Sequence, residues 1–257
     1  MATYVISDIH GNLDVFKKLL EKIDFKYDGT DSLYLLGDYV DWGPKSIETI
    51  QYVMDLTSKY DFIKAIIGNH DLMFLEQIES FNKDKRSEDY NWLYNNRGYM
   101  TWEQYLELDE EDKKKIENFL KNLDYRIDTQ VGNKTYLMAH ACPAIEFKYN
   151  EELSEEDNLW EYEHLRHKAV WERIIRKCLN VIEWYNRGEE KKYDMFICGH
   201  TINDDLRINI RESRGYIDID CGAKILGYKE FEDDYGTPSL AALRLDDYKE
   251  FYQYLEE

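Results

Sequence analysis

Five short motifs along the chain each follow a run of apolar residues, and this arrangement constrains the fold more than any other sequence feature. The apolar runs are typical of strands that are buried on both faces of a sheet. The motifs that follow them are Asp8-Ile9-His10-Gly11, Gly37-Asp38-Tyr39-Val40-Asp41, Gly68-Asn69-His70-Asp71, Ala139-His140-Ala141 and Gly199-His200-Thr201. Four of the six histidines of the chain lie in these motifs. Five strand ends therefore carry Asp, Asn or His side chains.

The local pattern predicts strands separated by helices. Strands are expected over five segments: 4–6, 33–36, 62–67, 135–138 and 195–198. After the first motif, Asn12 is a candidate helix N-cap, and apolar residues recur at helical spacing from Leu13 to Ile23. Pro44 predicts the start of a second helix. This alternation indicates an α/β fold, in which groups at the carboxyl ends of the strands gather into one binding site.

Asp, Asn and His side chains at one edge of a sheet indicate a metal site. Carboxylates that pack together repel one another unless cations neutralise them. A mixture of imidazole and carboxylate suits Mn, Fe or Zn better than Ca, whose sites are built from oxygen alone. Taken singly, each residue is explained equally well by a turn or by a hydrogen-bonded core histidine. Four of six histidines at strand ends favour a shared metal site.

The motifs resemble those of the calcineurin-like metallophosphoesterases, specifically the bacterial phosphoprotein (serine/threonine) phosphatase branch. That branch has Gly-Asp-x-His-Gly, Gly-Asp-x-Val-Asp-Arg-Gly, Gly-Asn-His-Glu, His-Gly and Gly-His-Thr in this order. Segments 217–222 and 240–245 resemble its closing strands, so the resemblance covers nearly the whole chain. It implies an α/β fold in which two mixed β-sheets pack together and are flanked by helices. One domain is expected over residues 1–257, with insertions at about 76–124 and 150–190 forming a helical cap.

The resemblance also implies a role for each matching residue. Six residues would ligate two divalent metal ions: Asp8, His10, Asp38, Asn69, His140 and His200. Asp8 and His10 would bind the first metal, and Asp38 would bridge to the second. We expect Mn, with Fe, Zn, Co or Ni as alternatives. A hydroxide shared by the metals would attack phosphorus directly. His70 would protonate the leaving group, and Asp41 would orient its imidazole.

Position 42 departs from the family pattern. The arginine that usually follows the second Asp of the second motif, and grips the phosphate, is Trp42 here. Arg97 lies in a segment that resembles the Asn-Gly-Gly-x-x-Thr of bacterial members and replaces one of its glycines. We hypothesise that Arg97 supplies the lost charge, because a guanidinium can bind two phosphate oxygens at once. A solvent-exposed arginine with no substrate role is the alternative.

Arg173 is a second candidate for binding the substrate. It ends the segment Val170-Trp171-Glu172-Arg173, which resembles a Trp-x-Arg element by which bacterial members contact the substrate phosphate. The surrounding helical segment carries many other charges, so a surface salt bridge is the competing explanation. We expect Arg173 to contact phosphate.

The predicted function is a dinuclear-metal-dependent phosphoester hydrolase, in the first place a serine/threonine protein phosphatase. A diadenosine tetraphosphatase or another nucleotide phosphohydrolase is the enzymatic alternative, because those bacterial enzymes share most of these motifs. A noncatalytic phosphate-binding module is an alternative of another class, although the complete set of motifs argues against it. The expected partner is a phosphorylated protein or a small phosphoester.

Charge and hydropathy argue against two classes of partner. The chain has 53 acidic and 33 basic residues and a formal net charge of −20, which disfavours binding to nucleic acid polymers or anionic membranes. No apolar run is long enough to span a membrane, and the first strand leaves no room for a signal peptide. We therefore expect a cytoplasmic protein whose four cysteines are reduced.

Overall fold

The computed structural model describes residues 1–85, 88–143, 146–173, 180–187, 192–229 and 236–255. These residues form ten strands and seven α-helices. The strands are β1 (Thr3–Ile6), β2 (Ser32–Leu35), β3 (Ile63–Ala65), β4 (Arg126–Val131), β5 (Lys134–Ala139), β6 (Met195–Cys198), β7 (Asn209–Arg211), β8 (Tyr216–Asp218), β9 (Leu240–Arg244) and β10 (Lys249–Gln253). The helices are α1 (Leu13–Lys22), α2 (Ser46–Lys59), α3 (Asn69–Lys83), α4 (Tyr99–Leu106), α5 (Glu110–Asn122), α6 (Glu155–Trp171) and α7 (Val181–Asn186).

The strands form two five-stranded mixed sheets. The first has the order β10-β9-β1-β2-β3, in which β1, β2 and β3 are parallel and β9 is antiparallel to both neighbours. The second has the order β4-β5-β6-β8-β7, with a parallel centre of β5, β6 and β8 between antiparallel edge strands. The predicted α/β fold with two mixed sheets is confirmed, as are the five predicted strands. Segments 217–222 and 240–245 contribute to β8 and β9.

The central strands are apolar on both faces because each sheet packs against the other sheet and against helices. Successive strand side chains point to opposite faces. In β1, Val5 belongs to a cluster that contains residues of both sheets, including Tyr136 and Ile197. Its neighbours Tyr4 and Ile6 belong to the cluster that contains the helices. Burial on both sides explains why these strands read as uninterrupted apolar runs.

Helices occupy most of the two segments that were predicted to form a cap. The first contains the second half of α3, a π-helical turn at Asn91–Asn95, α4 and α5, and the second contains α6 and α7. The buried guanidinium of Arg166 in α6 donates a 2.7 Å hydrogen bond to the Leu120 carbonyl in α5, so the two segments touch. Whether these helices cover a bound substrate stays a prediction. In the part of the chain that the structure describes, no helix is both long and apolar enough to cross a membrane.

Candidate active site

The five motifs meet at the carboxyl ends of the parallel strands. Backbone hydrogen bonds join the loops: the Asp8 N–H donates to the Gly37 carbonyl at 3.1 Å, and the His10 N–H donates to the Asp38 carbonyl at 2.8 Å. The His200 N–H donates to both carboxylate oxygens of Asp8 at 3.1 Å. Asp8 follows β1 and His200 follows β6, so this contact joins the two sheets at the site.

The backbone is left-handed at most of the candidate residues. Among the described residues, ten that are not glycine have positive φ, and seven of these were singled out from the sequence: Asp8, His10, Asp38, Asp41, Trp42, Arg97 and His200. Such conformations cost about 1–3 kcal/mol each and persist where the surrounding structure imposes them, commonly at active sites. A Cβ at Gly199 would lie 1.9 Å from Asp8 Oδ2, so the loop before His200 requires glycine.

Asp38 lies at the centre of the candidate metal ligands. Its Oδ2 is 3.4 Å from His10 Nε2 and 3.4 Å from His140 Nε2, while its Oδ1 accepts the His70 N–H at 2.9 Å. Asn69 Oδ1 lies 2.9 Å from His140 Nε2 and 2.8 Å from the Nδ1 of His200. One carboxylate therefore stands between two groups of donor atoms, which is the position that a bridging ligand requires.

The donor atoms fall into two overlapping sets. The ligand atoms of Asp38, His10 and His70 lie within 4.8 Å of one another, and so do those of Asp38, His140 and His200. The Asp8 carboxylate joins the first set less closely, with its Oδ1 4.0 Å from His10 Nε2. The structure thus brings together all six predicted ligands, together with His70.

Two imidazoles have their tautomer fixed by backbone carbonyls. His10 Nδ1 lies 3.0 Å from the Val40 carbonyl oxygen, and His140 Nδ1 lies 2.8 Å from the Leu36 carbonyl oxygen. Because a carbonyl oxygen can only accept, each Nδ1 carries a proton, and the neutral ring has its lone pair on Nε2. Both Nε2 atoms face the carboxylate of Asp38. Lone pairs that face a carboxylate need a cation between them, and this arrangement is usual for metal-binding histidines.

The pKa shifts of the candidate ligands also indicate that the cluster needs positive charge to balance its carboxylates. Burial lowers the pKa of His140, but attraction to Asp38 outweighs it and raises that pKa to about 10. Burial lowers the pKa of His10 well below its usual value, so this ring is neutral. Burial and the neighbouring Asp220 carboxylate raise the pKa of Asp8 well above its usual value. The cluster thus favours a proton on His140 and the neutral form of Asp8. Divalent cations would balance its carboxylates in place of those protons.

His70 and Asp41 form the predicted hydrogen-bonded pair. His70 Nδ1 donates to Asp41 Oδ2 at 2.7 Å, and both side chains are buried. Burial lowers the pKa of His70, but attraction to Asp38 and the bond to Asp41 outweigh it, so the net shift is upward. Since Nδ1 points to Asp41, Nε2 is the nitrogen that can transfer a proton. This arrangement suits a general acid.

Two further side chains hold Asp41, and sequence reasoning did not assign them to the site. The Trp92 indole N–H donates to Asp41 Oδ2 at 2.7 Å, and the Thr101 hydroxyl donates to Oδ1 at 2.6 Å. Thr101 ends the segment that contains Arg97, which is a usable sequence signal, whereas Trp92 reads as an ordinary core aromatic. A Cβ at Gly98 would lie 2.2 Å from the Trp92 ring, so this glycine lets the indole pack closely.

Asp71 links the second and third motifs without touching the donor groups. Its carboxylate accepts the backbone N–H groups of Asp38 at 2.8 Å, Tyr39 at 2.9 Å and Gly68 at 2.9 Å. The family pattern has glutamate here, and the shorter side chain of this protein still reaches all three donors. Asp71 therefore fixes the loop that presents Asp38 against the start of α3.

An arginine packs on the side chain at position 42. Arg97 Cζ lies 4.7 Å from the centroid of the Trp42 ring and 4.2 Å from that of Tyr228. The Tyr228 hydroxyl donates to the Trp42 carbonyl at 2.6 Å. Arg97 thus lies beside the position where the family has arginine, and its contact with phosphate stays a hypothesis.

The charges of Arg173 and Lys224 act on one of the candidate ligands, His200. Burial is the main cause that lowers the pKa of His200 to about 3, and the charges of Arg173 and Lys224 contribute. Arg173 is exposed just beyond the end of α6. Lys224 Nζ lies 5.7 Å from the centroid of the Trp42 ring. Sequence reasoning missed Lys224, although it follows a closing strand in the segment Cys221-Gly222-Ala223-Lys224, which was a usable signal.

Known proteins share this sequence pattern and this fold. The family model described as calcineurin-like phosphoesterase matches residues 1–204. A symmetrical bis(5'-nucleosyl)-tetraphosphatase from Psychromonas ingrahamii is 41% identical over 95 residues, which are 37% of this chain and 33% of that protein. The match thus spans about a third of the length of this curated relative.

Solved structures match over nearly the full length. A metallophosphoesterase from Sphaerobacter thermophilus has a TM-score of 0.54 at 19% identity, covering 100% of this chain and 89% of its own. A protein serine/threonine phosphatase from Saccharomyces cerevisiae has a TM-score of 0.53 at 13% identity, covering 100% and 81%. These likenesses concern the fold. Together with five motifs in the expected order and a match over most of the sequence, they identify the chain as a member of the calcineurin-like phosphoesterase family.

Proposed function

We propose that this protein hydrolyses nucleotide phosphoesters, with dinucleoside polyphosphates as the leading substrate class, and that it uses two divalent metal ions. The observation that carries the proposal of hydrolysis is the position of Asp38 between two sets of ligand atoms, next to the His70–Asp41 pair. A binding module would have no use for a buried imidazole held by a carboxylate beside those ligands. The name of the curated relative supports the nucleotide substrate over the phosphoprotein that the motifs first suggested.

The residues of the chain divide into metal ligands and a proton donor. Asp8, His10, Asp38, Asn69, His140 and His200 would hold the metal ions, with Mn as the expected metal. Bound metals would activate a water molecule and neutralise phosphate oxygens.

The proton donor would be His70, from Nε2 to the oxygen of the leaving group, while Asp41 holds Nδ1 and stabilises the charged ring. A nucleoside diphosphate is a weaker base than a serine alkoxide and needs this proton less. The loss of activity in a His70 variant should therefore be smaller for a substrate that releases a nucleoside diphosphate than for one that releases a serine alkoxide.

Serine/threonine protein phosphatase is the second candidate. The set of motifs favours it, because their pattern resembles that branch, and the charge of Arg173, a predicted phosphate contact, acts on His200. Both candidates require the same metal ligands and the same proton donor. They differ in the substrate that the surroundings of the site accept.

The test is hydrolysis by metal-stripped protein with added Mn²⁺. The substrates are diadenosine tetraphosphate, a phosphothreonine peptide and p-nitrophenyl phosphate, and the variants are Asp38→Asn and His70→Asn. Asp55→Asn and His164→Asn are matched controls, because both residues are exposed and neither contacts the site. We expect Mn²⁺-dependent cleavage of diadenosine tetraphosphate that Asp38→Asn reduces by orders of magnitude and that the controls retain.

Two other outcomes would contradict this proposal. Preference for the phosphothreonine peptide would replace the nucleotide proposal with the phosphatase. Mn²⁺ binding without turnover of any substrate would contradict hydrolysis and favour the binding module.

A further inference from the structure

The rim of the site around Trp42 carries two cations although position 42 itself has none. Arg97 packs on the rings of Trp42 and Tyr228, with its Cζ 4.7 Å and 4.2 Å from their centroids. Such cation–π contacts hold a guanidinium by about 0.5–2 kcal/mol each. Arg97 would have to give up at least part of this packing to bind a phosphate.

Lys224 is held less tightly by its neighbours. Its Nζ lies 5.7 Å from the Trp42 centroid, at the outer limit of a cation–π contact. With the other described residues it forms no salt bridge. The side chain is half-buried, so the ammonium keeps access to solvent and to a ligand. Of the two cations beside Trp42, Lys224 is the one that can turn to an anion at lower cost.

The backbone that carries Lys224 is fixed to the loop that carries His10. The side-chain amide of Asn12 donates to the Ala223 carbonyl at 3.0 Å and to the His10 carbonyl at 3.0 Å. Asn12 was predicted to cap α1, but its side chain makes no cap bond and instead joins these two segments. A 3₁₀ turn at Ala223–Ile225 begins at this contact, with Gly222 left-handed at its start. Lys224 is therefore placed relative to His10 by a direct link.

The position of Lys224 follows from its contact with Trp42 and from the link between its turn and the His10 loop. Besides burial and nearer charges, Lys224 is among the causes that lower the pKa of His10 and His200. It also lowers the pKa of the buried Asp220 carboxylate against the effect of burial. These groups lie on different loops around the predicted metals. These contributions agree with a position of the ammonium at the rim of the site, beside Trp42 and the loop that carries His10.

We propose that Lys224 binds a nonbridging oxygen of the substrate phosphate, in place of the arginine that the family pattern has at position 42. The inference rests on the proposed function, because it takes a phosphoester as the ligand. A lysine ammonium is a compact donor with three N–H groups, so it can follow a phosphate without the fixed geometry of a guanidinium. Trp42 gives Arg97 an apolar surface to pack on, and Lys224 supplies the charge.

The test measures binding of inorganic phosphate to the full-length, Mn²⁺-loaded protein by titration calorimetry, which requires no turnover. The variants are Lys224→Met, Lys224→Gln and Lys224→Arg. The matched control is Lys229→Met, an exposed lysine five residues further along the chain. We expect Lys224→Met and Lys224→Gln to raise the Kd for phosphate about tenfold or more, while Lys224→Arg and Lys229→Met stay within about threefold. The affinity for Mn²⁺ should not change.

A second variant tests the replacement of the arginine directly. In the Lys224→Met background, Trp42→Arg should recover at least part of the lost phosphate affinity. A Kd in Lys224→Met and Lys224→Gln within twofold of wild type overturns the proposal, and so does wild-type protein that binds Mn²⁺ but no phosphate. Phosphate binding that depends on Lys224 without hydrolysis of any phosphoester would support Lys224 and contradict the proposed function. The two proposals can therefore fail separately.

Discussion

Replacing Thr101 with valine tests whether the buried bonds to Asp41 hold the proton donor in place. Asp41 accepts hydrogen bonds from His70 at 2.7 Å, Trp92 at 2.7 Å and Thr101 at 2.6 Å. The Thr101 side chain is fully buried. Thr101→Val keeps its shape and removes only the hydroxyl, so no cavity forms. The Asp41 N–H keeps its bond to the Ser46 hydroxyl at 2.9 Å.

The expected loss follows from the charge of the acceptor. A hydrogen bond to a charged group contributes about 1.5–3 kcal/mol to the free energy of unfolding. In a domain of this size each kcal/mol corresponds to about 2–4 °C in Tm. Thr101→Val should therefore lower Tm by about 3–12 °C. Because Asp41 also orients His70, we expect kcat to fall by about 10–100-fold.

Thr49→Val is the matched control for this change. Thr49 is equally buried, but its hydroxyl donates at 2.6 Å to the carbonyl of Lys45, a neutral acceptor at the N-cap of α2. We expect Thr49→Val to cost about 0.5–1.5 kcal/mol and to leave kcat unchanged. Thermal unfolding and steady-state kinetics on the phosphothreonine peptide, whose alkoxide leaving group needs the proton from His70, measure both effects. The reasoning is refuted if Thr101→Val matches Thr49→Val in stability and keeps wild-type kcat.

Three other predictions concern the charges of the site. Asp41→Asn should shift the basic limb of the kcat–pH profile to lower pH, because Asp41 raises the pKa of His70 and the acid form is lost as pH rises through that pKa; an unshifted limb would contradict this. Asp71→Asn should lower the free energy of unfolding by about 1–3 kcal/mol, measured in urea, because one of three buried N–H groups loses its acceptor. Mn²⁺ at a hundred times its Kd should add about 2.7 kcal/mol per binding site to the stability of metal-stripped protein. Asp38→Asn should largely abolish that gain in a thermal-shift assay.

The central strands and the positions of the six ligand candidates could be predicted because both depend on local sequence. A strand that is buried on two faces must be apolar throughout, so β1, β2 and β6 are visible without any knowledge of their neighbours. The strand β4 is half-buried and lies at a sheet edge, where polar residues are tolerated, and it gave no signal. The six ligand candidates stand directly after the apolar runs. Parallel strands bring such positions together whatever their separation along the chain.

The network around Asp41 could not be predicted, because it joins residues that are far apart in the sequence. Trp92 and Thr101 are 51 and 60 residues from Asp41 and reach it only because the π-helical turn and α4 pack over the second motif. Nothing in the local sequence distinguishes Trp92 from the core aromatics around it. No structural role was predicted for Asp71, because its position is not a metal ligand in the family pattern. Its three backbone bonds appear only when the loops after β2 and β3 are placed side by side.

The proposed role of Lys224 would move a binding charge from position 42 to another part of the chain. A phosphate responds to the charge and distance of its neighbours, whichever element supplies them. The Trp42 backbone is left-handed, with φ of 69°, so the loop keeps its unusual path with an aromatic side chain in place. Lysine and arginine each carry about 2 kcal/mol of rotamer entropy. The Trp42 ring packs on the Arg97 guanidinium at 4.7 Å and restricts its rotamers before substrate arrives, whereas Lys224, at 5.7 Å, is held less tightly. The substitution at position 42 therefore removes a charge and, at the same point, adds an aromatic surface that orders Arg97, while Lys224 is proposed to supply the replacement charge.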